Sequence, residues 1–217
     1  QDITALSNKL LMSTAVPVKN KQGLPYSPRK QGAGLVQLGR ATKAKAYLSS
    51  AEGGLPKAEL GSSTSGSFSF SFQANNLSNS EIKYEVGVTV LTEDTVTENG
   101  KTYLAQSPRE LGADEVTVTA PVTVTLSANG TAAVNVSLAL TTKGKAALSK
   151  DFPNGIYVEG FVTLTPVNGG DTISLGLPFL GFYGDWSAAP IFDASVYDTD
   201  KSPAVYRTML GLFGADG

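Results

Sequence analysis

The sequence lacks the residue on which most serine-dependent hydrolysis depends, because it contains no histidine among its 217 residues. A protease-type serine needs a histidine base and an aspartate that orients this base. Ser13, in Met12-Ser13-Thr14, invites assignment as a nucleophile, but no base is present to activate it. We therefore expect Ser13 to be a structural serine at a helix end. The chain also has no cysteine, which excludes disulfides, thiol nucleophiles and thiolate metal sites.

Carboxylates are the next candidates for chemistry. Glycoside hydrolysis requires two carboxyl groups that face one sugar across a cleft. The acidic residues Glu93-Asp94 with Glu98, and Asp114-Glu115, lie in a polar stretch where closeness in sequence does not establish such a pair. We assign no catalytic residue to them.

A second acidic stretch, formed by Asp193, Tyr197, Asp198 and Asp200, is rich in oxygen ligands that calcium accepts. Calcium needs six to eight oxygens in a defined loop, and the spacing with a central glycine that is typical of calcium loops is missing. The pattern favours a solvated loop between domains. The sequence predicts no catalytic, cofactor-binding or metal-binding residue, and no cofactor.

The single tryptophan, Trp186, follows Asp185 on a turn bracketed by glycine. An exposed tryptophan could anchor a peptide or a sugar. Burial is the more usual fate of a lone tryptophan. We therefore expect Trp186 to close the end of a hydrophobic core.

Composition restricts the partners. The chain is 41% hydrophobic, with 19 acidic and 17 basic residues and a formal net charge of −2. Nucleic acid is not an expected partner, since phosphate binding needs clustered positive charge. The densest basic cluster, residues 19–30, is interrupted by glycine and proline, and a solvated loop explains it. No apolar run is long enough to insert into a membrane.

The elements that must position these residues fall into two zones. In the first, Ile3, Leu6, Leu10 and Leu11 follow Asp2 at helical spacing and predict a capped helix that ends before Pro17. A loop rich in proline and glycine comes next, and we expect a second short helix over residues 36–46.

From residue 47 the pattern changes to β-strands. Residues 67–72 alternate serine and phenylalanine strictly, which predicts a strand buried on one face. Further strands are expected at 84–91, 132–138, 160–165 and 172–179. The alternating run 116–126 contains Pro121, which should mark an edge, a bulge or a break. Asn129-Gly130 predicts a hairpin turn.

Two segments between these strands are expected to be irregular or short elements. Residues 142–150 should form a short polar helix or a turn. Residues 93–114 form a surface excursion or an extra hairpin, and we favour an inert role for them. The set predicts a mainly β fold, an antiparallel sandwich of the fibronectin III or immunoglobulin type preceded by one or two short helices.

Four segments, in this order, carry a resemblance to a known family. They are residues 9–15 (KLLMSTA), 27–36 (SPRKQGAGLV), 154–164 (NGIYVEGFVTL) and 177–186 (LPFLGFYGDW). Together they resemble the cell-envelope subtilisin-like serine proteases of Gram-positive bacteria, from the last helices of the catalytic domain through the first fibronectin type III-like domain. The serine motif of that family is absent here, so no catalytic residue can be carried over.

The resemblance implies an organisation and a location. Residues 1–46 would be a helical remnant of the catalytic domain, residues 47–193 the fibronectin type III-like sandwich, and residues 194–217 the truncated start of a following module. The chain would be a non-catalytic piece of an extracellular or cell-wall-associated serine endopeptidase. Its partners would be the upstream catalytic domain and protein substrates. The alternative is a stand-alone adhesin-like module that binds its ligand through loops or edge strands.

Overall fold

A computed structural model describes residues 2–152, 154–167, 169 and 171–188. Helices precede and interrupt the strands at α1 (Ile3–Ser13), α2 (Pro28–Gln31), α3 (Leu38–Ala41) and α4 (Thr142–Asp151). The strands are β1 (Ala46–Ser50), β2 (Ala58–Ser63), β3 (Ser67–Asn76), β4 (Ile82–Glu98), β5 (Lys101–Glu110), β6 (Val116–Thr119), β7 (Thr123–Leu126), β8 (Thr131–Leu140), β9 (Ile156–Pro166) and β10 (Leu175–Tyr183). The mainly β fold class expected from the sequence is confirmed.

Two sheets form the sandwich. The smaller sheet has the order β1-β3-β8-β6, and the larger has the order β2-β10-β9-β4-β5, with β7 paired to the first residues of β4. All of these pairings are antiparallel except that of β2 with β10. The segment before β1 packs against the sandwich and holds α1, α2 and α3.

The core lies between the sheets and follows the alternation read from the sequence. In β3, Phe68 and Phe72 are buried, whereas the serines next to them are more exposed to solvent. In β8, every second residue from Val134 to Leu140 is buried. Tyr84 of β4 is also fully buried, and burial raises the pKa of its phenol to about 12. A period of two therefore identifies the inward faces of both sheets.

Helix α1 forms as expected. The Asp2 side chain accepts a hydrogen bond from the Thr4 amide and so caps the helix. The second expected helix, over residues 36–46, is wrong in extent, because only the single turn α3 forms. Its cap residue Gln37 makes no side-chain capping bond, and Gly39 weakens the turn. Leu38 remains 68% exposed, so packing does not stabilise a longer helix there.

Pro121 marks a strand break, as expected. The break separates β6 in the smaller sheet from β7 in the larger sheet, so the chain changes sheets at this point. The turn at Asn129-Gly130 forms, with Asn129 at φ 52°, but the expected hairpin is wrong. Its flanking strands β7 and β8 pair with β4 and with β3 and β6, in different sheets. Asparagine and glycine specify the turn locally, whereas the pairing of the strands depends on distant partners.

The segment 93–114 contains an extra hairpin, one of the two forms expected for it. Strand β4 continues to Glu98, turns at Asn99-Gly100 and returns as β5. The register shifts between Glu93 and Thr95, which places a bulge where the hairpin leaves the sandwich. Residues 142–150 form α4, capped by the Thr141 hydroxyl.

Candidate functional site: the interface between the N-terminal segment and the sandwich

Residues 2–45, which we call the N-terminal segment, are joined to the sandwich first through Ser13. The Ser13 hydroxyl accepts a hydrogen bond from the Leu48 amide at 2.9 Å and donates to the Leu48 carbonyl at 3.4 Å. Ser13 is completely buried. Strand β1 uses its other edge to pair with β3, so Ser13 occupies the edge that β1 leaves free. The hydroxyl holds the end of α1 against β1.

The second anchor is built around α2. Ser27 caps this helical turn by accepting a hydrogen bond from the Arg29 amide, and Pro28 occupies its first position, where a missing amide costs nothing. The Ser27 hydroxyl also donates to Oε2 of Glu159 on β9, at 2.7 Å. The turn thereby presents Arg29 and Lys30 to the larger sheet.

Arg29 joins two carboxylates of the sandwich. Its Nε and Nη2 donate to Oε2 and Oε1 of Glu159, both at 3.0 Å, and Nη2 also donates to Oε2 of Glu93 at 2.9 Å. Lys30 Nζ donates to Oε1 of Glu93 at 3.3 Å and to the Gln106 carbonyl at 2.7 Å. We call Ser27, Arg29, Lys30, Glu93 and Glu159 the charged clamp.

Burial makes the charged clamp energetically significant. The side chains of Glu159 and Glu93 are 1% and 6% exposed, so each needs hydrogen-bond and charge partners to offset the cost of burial. Burial alone would raise the pKa of Glu93, but the hydrogen bonds and charges of Arg29 and Lys30 outweigh burial and lower it. Burial alone would lower the pKa of Arg29, and the bonds to Glu159 and Glu93 raise it above its ordinary value. The pKa values of Arg29 and Glu93 are therefore both moved away from neutral pH, and this ion pair is not suited to acid–base catalysis.

Arg29 makes one further contact with the sandwich. Its guanidinium lies 4.0 Å from the ring centroid of Tyr157, within the range of a cation–π interaction. Tyr157 and Glu159 are two residues apart on β9 and so share one face of the strand. A single arginine is thus fixed by a ring and two carboxylates.

A third set of contacts surrounds a cleft of about 410 Å³ between the N-terminal segment and the outer face of the larger sheet. Arg40 of α3 donates from Nη2 to the Ser174 carbonyl at 3.0 Å, while its buried Nε has no hydrogen-bond partner in the described part of the chain. Val16 and Leu35 exchange two backbone hydrogen bonds, which close the segment on itself. Phe161 and Thr163 of β9 line the opposite wall.

The structure distributes the acidic candidates among separate partners. Glu93 belongs to the charged clamp, and Asp94 accepts a hydrogen bond from the Thr95 amide. Asp114 pairs with Lys143, and Glu115 accepts two hydrogen bonds from Arg109 Nη1 at 3.0 and 2.8 Å. Glu93 and Asp94 both line a small cavity of about 90 Å³, but Glu93 is bound by Arg29 and Lys30 and Asp94 by backbone, so the cavity does not hold a free pair of carboxyl groups as a glycosidase site would.

The calcium candidates Asp193, Tyr197, Asp198 and Asp200 lie outside the described residues. Within the described ranges, no group of three or more acidic, histidine or cysteine side chains is arranged to hold a metal ion. The same part of the chain contains no helix long and apolar enough to cross a membrane.

The expectation that Trp186 is buried is wrong. Its side chain is 61% exposed and packs edge-on against Phe182, with ring centroids 4.9 Å apart. Trp186 follows β10, the last strand of the described residues, beyond the point where the two sheets enclose the core. The turn that carries it is held by Asp185, whose carboxylate accepts hydrogen bonds from the Ser187 amide and hydroxyl.

The interpretation of residues 19–30 as a solvated basic loop is also wrong at its end, because Arg29 and Lys30 bind the carboxylates of the charged clamp. The sequence contained one usable signal, since Ser27-Pro28 is a typical start of a helical turn. It contained none for the acidic partners, which come 64 and 130 residues later.

Similar proteins support the resemblance read from the sequence. The PII-type proteinase of Lactococcus lactis subsp. cremoris is 31% identical over 204 residues, which are 89% of this chain and 10% of that protein. The C5a peptidase of Streptococcus pyogenes serotype M18 is 27% identical over 203 residues, 93% of this chain and 17% of that protein. The resemblance to cell-envelope subtilisin-like proteases is confirmed, and the chain spans between a tenth and a sixth of these relatives.

Among solved structures, a PapD-like domain of human CEP192 covers 64% of this chain, and 85% of that domain is matched, with a TM-score of 0.42 and 12% identity. Such a distant similarity carries no functional information. The family model described as an Fn3-like domain matches residues 59–180, from β2 into β10. The matched region is more than half of the 217 residues, and the chain belongs to the Fn3-like domain family.

Proposed function

We propose that this chain is a non-catalytic part of a secreted or cell-wall-associated subtilisin-like serine endopeptidase of a Gram-positive bacterium. In this proposal residues 1–46 end the catalytic domain, residues 47–193 form the Fn3-like sandwich, and residues 194–217 begin the next module. The sandwich holds the catalytic domain in place and helps to position protein substrates. The proteinases and C5a peptidases to which the chain is similar support this function.

The distribution of exposed apolar side chains on the N-terminal segment is the observation that carries the proposal. This segment is bonded to the sandwich through Ser13, Arg29 and Arg40. Yet it leaves six large apolar side chains exposed: Ile3 81%, Leu38 68%, Leu35 61%, Val36 53%, Val18 47% and Val16 38%. Val16 is paired with Leu35, and Val36 and Leu38 follow Leu35 closely in the chain, so at least part of this set is clustered, as on a surface that packs against another domain.

The segment thus has two kinds of contact, polar anchors to the sandwich and apolar side chains available to a partner. An upstream catalytic domain is the partner that the similar proteinases suggest. Charged anchors on a preformed sheet fix the position of the segment, and the apolar residues supply the binding energy for the domain that would cover them.

Association with the upstream catalytic domain tests this function. The parent's catalytic region that precedes this chain is produced separately, and its binding to the 217-residue chain is measured by calorimetry. The double variant Leu35→Ser, Leu38→Ser should weaken binding at least about tenfold, because two exposed leucines lose roughly 1.4 kcal/mol or more of apolar contact. Val122→Ser is the matched control, since Val122 is 80% exposed on the sandwich.

Equal binding by the double variant and the parent chain would contradict the proposed interface. Substrate positioning is tested separately, by comparing kcat/KM for a protein substrate and for a short peptide in the assembled enzyme with and without the sandwich. The proposal expects a larger loss for the protein substrate. Peptidase activity of the purified chain alone would contradict the non-catalytic assignment.

A further inference from the structure

A groove on the outer face of the larger sheet is lined by three aromatic side chains, of which Tyr157 also contacts Arg29 of the N-terminal segment. Its volume is about 430 Å³, and Tyr157, Phe182 and Trp186 form its aromatic wall. Tyr157 and Phe182 are register partners on β9 and β10, so they stand side by side on one face. Gly61 and Gly181 line the groove without side chains.

The planes of neighbouring rings are steeply inclined to one another and leave the groove open to solvent on one side. Trp186 is perpendicular to Phe182 at a centroid distance of 4.9 Å, and Phe182 lies at 75° to Tyr157 at 5.5 Å. Edge-to-face packing holds each ring in a fixed orientation. The 61% exposure of Trp186 leaves much of the indole open to a ligand.

The groove offers one carboxylate to a ligand. Among its described lining residues, Glu59 of β2 is the one that is charged at neutral pH. Glu59 pairs with Lys57, but both side chains are largely exposed, at 73% and 51%. Such a surface ion pair is weak, so a ligand cation can join or replace Lys57 beside the carboxylate.

One ring of the groove already contacts a cation within the molecule. The guanidinium of Arg29 lies over Tyr157 at 4.0 Å, at the border between the charged clamp and the groove. The charge of Arg29 is balanced by Glu93 and Glu159, so Arg29 does not pair with Glu59, whose one cation partner in the described residues is the exposed Lys57. Aromatic faces beside a carboxylate are the usual surroundings of a bound cation.

We propose that the groove formed by Tyr157, Phe182, Trp186 and Glu59 binds an arginine or lysine side chain of another polypeptide. The aromatic rings contact the aliphatic stem and the flat or ammonium head, and Glu59 provides the opposite charge. A Cβ at Gly61 would meet nothing within 4 Å, so this glycine leaves room for the backbone of the ligand to approach. A neutral ligand would gain the apolar contacts and at most a hydrogen bond to Glu59, without the attraction between opposite charges.

Trp186 provides the measurement, because it is the only tryptophan in the sequence. Its fluorescence in the full chain is titrated with a hexapeptide in which arginine alternates with glycine. The same peptide with citrulline in place of arginine is the matched control, since citrulline keeps the shape and removes the charge. We expect a saturable change with the arginine peptide in the millimolar range, and binding at least several-fold weaker with the citrulline peptide.

Two variants separate the contributions. Glu59→Gln should weaken binding by about two- to fivefold and reduce its salt dependence, as expected for one exposed charge pair. Glu98→Gln, an exposed carboxylate on the β4–β5 hairpin, should leave the titration unchanged. Phe182→Ala removes one wall and should weaken binding by a similar factor, with folding checked by circular dichroism.

Three results would overturn the proposal. Equal binding of the arginine and citrulline peptides would show that charge plays no part. A saturable response to a neutral oligosaccharide, with none to the arginine peptide, would assign the groove to a glycan. Trp186 emission that resists quenching by acrylamide in the free chain would show that the chain's own residues cover the groove.

Discussion

Arg29 and Glu159 form a bidentate ion pair in which Nε and Nη2 of the guanidinium each lie 3.0 Å from one carboxylate oxygen. The two residues are 130 positions apart in the chain. One belongs to the N-terminal segment and the other to the middle of the larger sheet, so the pair links the first and last parts of the described structure. Its geometry is the forked arrangement that arginine makes with carboxylates and lysine cannot reproduce.

Removing the arginine should destabilise the fold. Arg29→Ala leaves the buried carboxylates of Glu93 and Glu159 without their main cation, and we expect a loss of about 2–4 kcal/mol in the free energy of unfolding. We place this loss below that of a fully buried ion pair, because the Arg29 side chain is 24% exposed and solvent screens its charge. Urea unfolding followed by circular dichroism measures the loss. Lys57→Ala, which breaks an exposed pair, should change stability little.

A double variant tests the cause of that loss. Arg29→Ala with Glu159→Gln removes one of the two buried charges, so it should be more stable than Arg29→Ala alone. A double variant that is less stable by the sum of the two single effects would show that the residues act independently.

Stability should fall in acid because of Glu93. Its pKa is lowered in the folded chain by Arg29 and Lys30, against the opposing effect of burial, from an ordinary value of 4.5. A carboxyl group with a lowered pKa stabilises the fold fully above its unfolded pKa, and this contribution disappears as pH falls through the folded pKa. Urea midpoints should therefore be constant near neutral pH and decline below about 4.5.

Glu93→Gln removes this titrating group and should flatten the acid decline relative to the parent chain. Glu98→Gln on the exposed hairpin is the matched control and should retain the full decline. An identical slope in the parent and in Glu93→Gln would mean that another group causes the acid sensitivity.

The contrast between β3 and the charged clamp shows what sequence reasoning can reach. Strand β3 was predictable because alternation of serine and phenylalanine encodes burial locally, residue by residue. The partners of Arg29 were not, because an ion pair across 130 residues has no local pattern. Burial of carboxylates is decided by the register of β4 and β9, which only the folded sheet establishes.

The same distinction explains Asn129 and Trp186. The turn at Asn129-Gly130 is encoded by two residues, but whether its strands pair with each other depends on which sheet offers a free edge. Trp186 was expected in the core because most lone tryptophans are buried. Trp186 is exposed because it lies three residues after the end of β10, outside the sheet. The alternation of apolar and polar residues in the sequence does not show where β10 ends.

We expect Ser13 to stabilise the fold and not to act as a nucleophile. Ser13→Ala leaves the buried Leu48 amide without its hydrogen-bond partner, and we expect a loss of about 1–3 kcal/mol in the free energy of unfolding. Ser7→Ala is the control, since the exposed Ser7 hydroxyl bonds only within α1. Covalent labelling of Ser13 by a serine-reactive fluorophosphonate would contradict the structural role.

Gly160 lies where β9 approaches its neighbours most closely, and it should tolerate no side chain. It is paired with Val90 on one side and with Phe179 on the other. A Cβ at this position would lie 1.9 Å from the Thr89 carbonyl oxygen and 2.7 Å from Cζ of the Phe179 ring. The carbonyl belongs to a central strand and cannot move without breaking the pairing of β4 with β9.

We therefore expect Gly160→Ala to lower the free energy of unfolding by about 3 kcal/mol or more, or to prevent folding. Gly176→Ala is the matched control on β10, because a Cβ there meets its nearest neighbour, the Val162 carbonyl oxygen, at 3.9 Å, an ordinary contact. The thermal unfolding midpoints of the two variants, compared with that of the parent chain, test this prediction. Equal stability of Gly160→Ala and Gly176→Ala would mean that β4 and β9 are farther apart at Gly160 than the structure places them, since only a wider spacing admits the methyl group.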